Sequence, residues 1–267
     1  MPVRKRFGQH FLHDGQVIRR IVEAIAPRPG QHLLEIGPGR GALTFALLER
    51  IDSLDAIEID RDLAAGLAAD PRAAGRLRLH VEDALAVDLQ TLRSHGEPLR
   101  VIGNLPYNVS TPLLFHLLNQ RAAIEDMHVM LQKEVVDRMV APPGCSAYGR
   151  LTVMLAAYAR VERLFDVGPG AFRPPPRVWS SVARLTPSVA PRFETGGERA
   201  LRTLVTTAFS QRRKKIRNGL SGLLSSADII ACGIDPDCRP EVLEPAQFGR
   251  LAARWRAAAP AQSDPAA

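Results

Sequence analysis

The tetrapeptide Asn104-Leu105-Pro106-Tyr107 follows a short apolar run, Val101-Ile102-Gly103, so it lies where a strand ends and a loop begins. A rigid loop of this composition can hold a nucleobase. The Asn104 side-chain oxygen, with a backbone carbonyl nearby, can accept hydrogen bonds from an exocyclic amine, and the Tyr107 ring offers a flat face for stacking. An amine conjugated into an aromatic ring is a poor nucleophile. Two acceptors that hold its hydrogens out of plane free the lone pair for attack, which is catalysis by positioning and preorganised polarity. An isolated Asn-x-Pro-Tyr is more often an ordinary turn followed by a packing aromatic. The rest of the chain reverses that preference.

A second cluster comes earlier. Glu35-Ile36-Gly37-Pro38-Gly39-Arg40-Gly41-Ala42-Leu43-Thr44 follows the first predicted strand, and its glycines let the backbone turn sharply against a ligand. The second strand ends in Glu58-Ile59-Asp60, with Glu58 placed 21 residues after Gly37, the separation at which a carboxylate reaches ribose hydroxyls. The third ends in Glu82-Asp83-Ala84, where an acid can meet the amine of an adenine ring. Each acid falls at the carboxyl end of its strand, where open α/β sheets bind ligands. Asp60 and Glu82 read equally well as solvated acids. Glu35 reads either as a neighbour of a methionine ammonium or as an acceptor behind the ligand contacts. The loop is not Gly-x-Gly-x-x-Gly and no Lys-Ser/Thr follows it, which disfavours nicotinamide and nucleoside triphosphates and leaves S-adenosylmethionine as the best candidate.

The elements that must position these residues alternate. Strands are expected over residues 32–36, 55–59, 77–81, 99–103, 127–131, 161–167 and 180–185, and helices over 43–50, 61–69, 133–140 and 150–159. A further helix is expected to begin near Ser110, with Thr111 as its cap and Pro112 at the first helical position. The pattern predicts an α/β fold with a mainly parallel sheet covered on both faces. A Pro- and Gly-rich stretch over 186–197 reads as a linker. The expected organisation is an α/β domain over 1–187, a small, basic helical domain over 196–258, with helices at 198–209 and 212–224, and a disordered tail over 259–267.

The chain has 267 residues, 46% of them hydrophobic and 24% charged, with a formal net charge of +7, which favours an anionic partner and nucleic acid first. Three cysteines without a paired Cys-x-x-Cys spacing argue against a disulfide framework or a structural zinc site and fit a reducing cytoplasm. No apolar run has the length of a membrane span, and the N-terminus lacks the apolar core of a leader. A monomer without metal is expected. The run Arg212, Arg213, Lys214, Lys215 and Arg217 carries five positive charges and no negative one. On a helix these would wrap most of the surface and suit phosphate contacts, which give affinity without sequence information. Arg4, Lys5 and Arg6 form a second basic cluster, and Arg173 and Arg177 flank a Pro triplet where they could grip phosphates. Tyr148 reads as a packing residue.

Phe7-Gly8-Gln9-His10-Phe11-Leu12, the Glu35 to Thr44 loop, Glu58-Ile59-Asp60, Glu82-Asp83-Ala84, Asn104 to Tyr107 and Phe172-Arg173-Pro174-Pro175-Pro176-Arg177-Val178 occur in one order. Taken together they resemble the ribosomal RNA adenine N6,N6-dimethyltransferase family, and its small-subunit branch in particular. The resemblance implies a Rossmann-like S-adenosylmethionine-dependent methyltransferase domain with a small C-terminal helical domain. The implied reaction puts two methyl groups on each of two adjacent adenosines in a hairpin near the 3′ end of small-subunit rRNA. It also implies that His10 and Leu12 border the cofactor, Gly37 and Gly39 face its methionine part, Glu58 takes the ribose and Asp83 the adenine amine. Asn104 would hold the target amine and edge the cofactor, and Tyr107 and Phe172 would sandwich the target base. Gly168 stands where the family commonly has Pro, which predicts a looser loop around Phe172. The alternatives are the large-subunit, antibiotic-resistance branch and a largely non-catalytic small-subunit assembly factor. A pure binder needs neither the cofactor loop nor the Asn104 loop, and no separate target-recognition domain supports DNA methylation.

Overall fold

A computed structural model describes residues 10–93 and 96–258. The basic cluster at Arg4 to Arg6 and the tail lie outside the described residues. In chain order the elements are β1 (Phe11–Leu12), α1 (Gly15–Ile25), β2 (Leu33–Ile36), α2 (Ala42–Leu48), β3 (Leu54–Ile57), α3 (Arg61–Ala68), β4 (Leu77–His80), β5 (Leu99–Asn104), α4 (Ser110–Asn119), β6 (Ile124–Gln132) and α5 (Lys133–Met139). They continue with α6 (Arg150–Tyr158), β7 (Ala159–Val167), β8 (Phe172–Arg173), β9 (Ser180–Pro187), α7 (Glu198–Ser210), α8 (Ile216–Gly219), α9 (Ser226–Ala231) and α10 (Pro245–Ala258). Among the described residues no helix is long and apolar enough to cross a membrane.

The chain divides into two compact units. One comprises the chain up to Val136 together with Val161–Pro187, the other Asp137–Arg160 together with the chain from Ser188 onward. The helical unit thus takes in α6, which packs with α7 and α10. A composition shift marks only the second boundary, because Asp137 to Arg160 reads locally like any other helical insertion. Within that unit Tyr148 is fully buried and donates its hydroxyl to the Leu243 carbonyl at 2.6 Å, as a packing residue does.

The first unit is built on a seven-stranded sheet of order β4-β3-β2-β5-β6-β9-β7. Strands β4, β3, β2, β5 and β6 run parallel, and β9 returns antiparallel against β6. The central parallel strands are enclosed, as strands covered on both faces are: all four residues of β2 are buried, and five of the six in β5. Asp14 caps α1 by accepting from the amides of Gln16 and Val17. One face of α1 and α2 packs Ile21, Ile25, Leu43 and Leu47 against Leu33, Ile102 and Met130 of the sheet.

Three local expectations are corrected. Helix α4 starts at Ser110, with Val109 in the cap position and no side-chain cap, so Thr111 and Pro112 are its second and third residues. Pro112 is tolerated there because the first four amides of a helix have no intrahelical partner. The helix expected over 212–224 is instead a turn after α7, the four-residue α8, and a second turn. The elements β1, α1 and β8 were not anticipated; β1 and β8 form a two-stranded antiparallel sheet joining parts of the chain about 160 residues apart.

One ion pair is buried between β5 and β6 of this unit. Arg100 on β5 is 6% exposed and grips Asp126 on β6, itself 1% exposed, through two bonds of 2.9 and 3.0 Å. The same guanidinium donates to the Ile25 carbonyl and to Gln31 Oε1, so all its donating nitrogens are occupied. Removing one member of such a pair strands the other in a dry site. Asp126→Ala should therefore lower stability by about 3–5 kcal/mol, whereas Arg100→Met with Asp126→Leu should lose much less. Urea unfolding of the full chain checks both.

Candidate active site

A cavity of about 310 Å³ opens at the carboxyl ends of the parallel strands. It brings together His10, Leu12, Gly37, Gly39, Glu58, Asp83, Asn104 and Tyr107. These residues come from four strand ends and the N-terminal segment, and the fold gathers them because strand order reverses between β2 and β5.

The wall formed by β2 and β3 is a glycine loop tied to a carboxylate. Gly39 has φ +59°, and a Cβ there would lie 3.2 Å from the Phe11 ring, so a side chain would strain the backbone and crowd the wall. The Gly39 amide donates to Glu58 Oε2 at 3.1 Å and the Asp60 amide to Oε1 at 2.9 Å. Glu58 is 5% exposed; burial pushes its pKa up, and the two amides partly offset this. Glu58 therefore holds the glycine loop in shape as well as lining the cavity. Asp83 is exposed and accepts from the Leu85 amide in its own turn. Asp60 is not a solvated acid. It is 4% exposed and caps α3 through the amides of Asp62 and Leu63. Glu82 is exposed.

The opposite wall carries the Asn104 loop. The Leu105 amide donates to the Met130 carbonyl, which prolongs the β5–β6 ladder by one bond, and the Val109 amide donates to the Pro106 carbonyl to close a turn. Asn104 Nδ2 donates to the His10 carbonyl at 3.1 Å. The amide end of that side chain is thus engaged, and its oxygen is the end that can accept. The Tyr107 hydroxyl and Ser180 Oγ lie 2.6 Å apart, and burial raises the Tyr107 pKa. The ring centroid of His10 is 5.6 Å from that of Tyr107.

Phe172 is not in this cavity. It is 1% exposed and belongs to the core formed with Leu12, Ile21, Met130 and Val182. The reason is its register: Leu12 pairs with Phe172 across the β1–β8 sheet, so both turn inward, while Arg173 is left exposed. The loop before it is not loose. Gly168 has φ −74°, a value Pro also adopts, and the Ala171 amide closes a turn onto the Gly168 carbonyl.

The basic run in the helical unit is partly neutralised. Arg212 pairs with Glu241 at 2.8 Å, and Lys215 and Arg217 pair with Asp237 at 3.3 and 2.8 Å. A window over 211–217 shows no acid because both acids lie 20 or more residues further on. Arg213 and Lys214 are exposed.

The sequence reading gave no role to Ile59 or His128, both of which line the cavity. Ile59 is 48% exposed beside Glu58, an apolar cover at the end of β3. His128 on β6 is 3% exposed with neither ring nitrogen in a hydrogen bond of ordinary geometry, and burial pushes its pKa down to about 4. A histidine in an apolar strand gives no signal of which neighbours it will meet.

Glu35 lines the cavity from a buried position. It is 2% exposed, and Thr44 Oγ1 donates to its Oε2 at 2.6 Å. Burial pushes its pKa up to about 7, with the Thr44 bond opposing and the nearby Glu58 charge reinforcing the rise. An acid whose folded pKa is raised keeps a proton that the unfolded chain has lost, so it lowers stability as pH climbs from its ordinary value of 4.5 to about 7. Without ligand, Glu35→Gln should be more stable than the parent by about 3 kcal/mol at pH 8 and nearly equal to it at pH 4. Urea unfolding at the two pH values measures the difference.

Comparison with known proteins places this geometry. The chain is 54% identical over 255 residues to ribosomal RNA small subunit methyltransferase A of Nitrosococcus oceani, covering 94% of this chain and 96% of the relative. It is 55% identical over 249 residues to the protein of the same name from Pseudomonas aeruginosa, covering 93% of each. Among solved structures, the 23S rRNA methyltransferase ErmE superposes with a TM-score of 0.70 at 26% identity, over 92% of this chain and 99% of that one. A dimethyladenosine transferase from Plasmodium falciparum shares the fold with a TM-score of 0.74 at 23% identity, over 91% and 96% of the two chains. The family model described as ribosomal RNA adenine dimethylase matches residues 2–255. With that match, and with more than half of its positions shared with full-length relatives, the chain belongs to the ribosomal RNA adenine dimethylase family.

Proposed function

We propose that this protein transfers methyl groups from S-adenosylmethionine to the exocyclic amine of adenosines in small-subunit rRNA, two to each amine. The observation that carries the reading is the Asn104 loop. Its carboxamide is oriented by the His10 carbonyl, and its tyrosine ring is fixed by Ser180, on the wall opposite a glycine loop bound to a ribose-type carboxylate.

The residues fit the cofactor. Glu58 lies at the end of β3 to take the ribose hydroxyls, Asp83 at the end of β4 the adenine amine, Gly37 and Gly39 face the methionine part, and His10 and Leu12 border the cofactor. Glu35, Glu58, Glu82 and Asp83 line one cavity, a negative surround suited to a ligand bearing an ammonium and a sulfonium. When bound, S-adenosylmethionine supplies an electrophilic methyl group. The protein supplies the geometry. Asn104 Oδ1 and a carbonyl of the loop accept the two amine hydrogens and turn them out of the ring plane, and Tyr107 stacks the base. The amine carries a positive charge once methylated, is then a strong acid, and loses its proton to water, so no general base is required.

The small-subunit branch is favoured because the relatives named for it share 54–55% identity, against 26% for the 23S rRNA enzyme. The intact cavity favours catalysis over a purely structural assembly role. The direct test is to incubate the protein with labelled S-adenosylmethionine and small subunits lacking dimethyladenosine, then map the label. Label on adjacent adenosines of the 3′-terminal hairpin is expected; label in large subunits alone would overturn the reading.

Asn104→Ala should lower the single-turnover rate by about 10²–10³, the usual effect of losing one preorganised polar partner. Tyr107→Ala should be severe. Tyr107→Phe should fall between Ala and the parent, because it keeps the ring yet leaves the buried Ser180 hydroxyl without its partner. Near-normal turnover in Tyr107→Ala would remove the stack.

Ion pairing divides the basic run. If Arg213 and Lys214 meet phosphates, changing both to Ala should lower the slope of log affinity against log salt by about 1.4–1.8, at roughly 0.7–0.9 per contact. Arg212→Ala should instead loosen the helical unit, because Arg212 holds Glu241 and the Cys145 carbonyl. Binding to small subunits across a salt series gives the slopes. Parallel slopes would shift the phosphate contacts to Arg173 and Arg177.

A further inference from the structure

Trp179 is 55% exposed and is the one aromatic among the large apolar side chains left exposed in the described residues. Its place is fixed. The Trp179 carbonyl accepts from the Lys133 amide at 2.8 Å, one step beyond the pairing of Ser180 with Gln132, so its backbone continues the β6–β9 ladder. The six-membered ring of its indole lies 3.7–4.0 Å from the point a Cβ would occupy at Gly168, the glycine that ends β7's excursion. The indole is thus backed by main chain and not enclosed by side chains.

Its neighbour on the chain is Ser180, fully buried and bonded to the Tyr107 hydroxyl. Successive residues of a strand point to opposite sides. Ser180 turns toward the Tyr107 loop, so Trp179 turns away, and it does not line the cavity. Arg173 and Arg177, both exposed, lie on the segment that leads into it. An exposed aromatic ring that follows two exposed cations on the chain, next to the residue that holds Tyr107 yet outside the cavity, is suited to a nucleotide beside the target. Drawing a base into a pocket also strips its neighbour of a stacking partner, and a ring on the rim can replace it.

We propose that Trp179 stacks the nucleobase adjacent to the target adenosine, with Arg173 and Arg177 on the phosphates that flank it. This rests on the reading of the protein as an rRNA adenine methyltransferase. Trp179 is a positioning residue for RNA and touches neither the cofactor nor the reacting amine.

The test is steady-state methylation of small subunits lacking dimethyladenosine, with Trp179→Leu and Trp179→Phe beside the parent. Leu keeps an apolar cover over Gly168 but has no ring. Trp179→Leu should raise KM for subunits about 5- to 150-fold, the size of one base–aromatic stack, with kcat within about twofold. Trp179→Phe should recover most of that loss. Calorimetric affinity for S-adenosylmethionine should be the same in all three, which shows that the cavity is intact. An unchanged KM in Trp179→Leu, or a Phe variant as impaired as the Leu variant, would overturn the assignment while the parent's activity stands. A parent that methylates no subunit would overturn the functional reading itself, and this assignment with it.

Discussion

Strand β2 lies between β3 and β5, and the chain leaves the sheet in opposite directions on its two sides. Loops leaving the carboxyl ends of β2 and β5 therefore diverge, and the gap between them cannot be filled by either. The rest of the first unit follows from this constraint. The gap requires a backbone that can approach a ligand on one wall, which the glycine loop supplies, and a loop rigid enough to present polar atoms on the other. Even Gly103, just before Asn104, obeys it: a Cβ there would meet the Ile36 carbonyl at 2.6 Å, so β5 could not lie this close to β2 with any side chain.

The rigidity of the second wall is not intrinsic to Asn-x-Pro-Tyr. It comes from bonds reaching far along the chain: to Met130 on β6, to His10 in the N-terminal segment and to Ser180 on β9. The His10 contact has a particular consequence. A carboxamide has a donating and an accepting end, and a carbonyl partner selects the donating one. The N-terminal segment thus sets the polarity that Asn104 presents to the cavity, although it is 94 residues away.

This separates what was legible in the sequence from what was not. Strands, the glycine loop and the acids at strand ends are local signals, set by apolar periodicity and by spacing of about 20 residues within one strand–helix–strand unit, and they were read nearly in place. Phe172 was not, because its direction depends on pairing with Leu12 across 160 residues. The ion pairing of the basic run was hidden for the same reason. Its charge density is visible in seven residues, but Glu241 and Asp237 come from the far side of two turns and a helix. Asp60 failed differently: a carboxylate before a helix is a cap signal as much as a solvated acid, and its burial follows from capping α3.

The electrostatics of the cavity complete the link from fold to ligand. Glu35 and Glu58 end adjacent strands, and burial raises both carboxyls, with the Glu58 charge adding to the rise at Glu35 and the Asp60 charge to the rise at Glu58. Glu58 has two amides to stabilise its charge, and Glu35 has one hydroxyl. Of the two, Glu35 is the carboxyl that more readily keeps a proton. A cationic ligand works against that proton, since a positive charge within a few ångströms favours ionised carboxyls over protonated ones. By linkage, the ligand that lets Glu35 lose its proton is held more tightly than a neutral one of the same shape. The sheet topology that leaves the gap open thus also shapes which charge the gap prefers, because it places two buried carboxyls on neighbouring strand ends beside it.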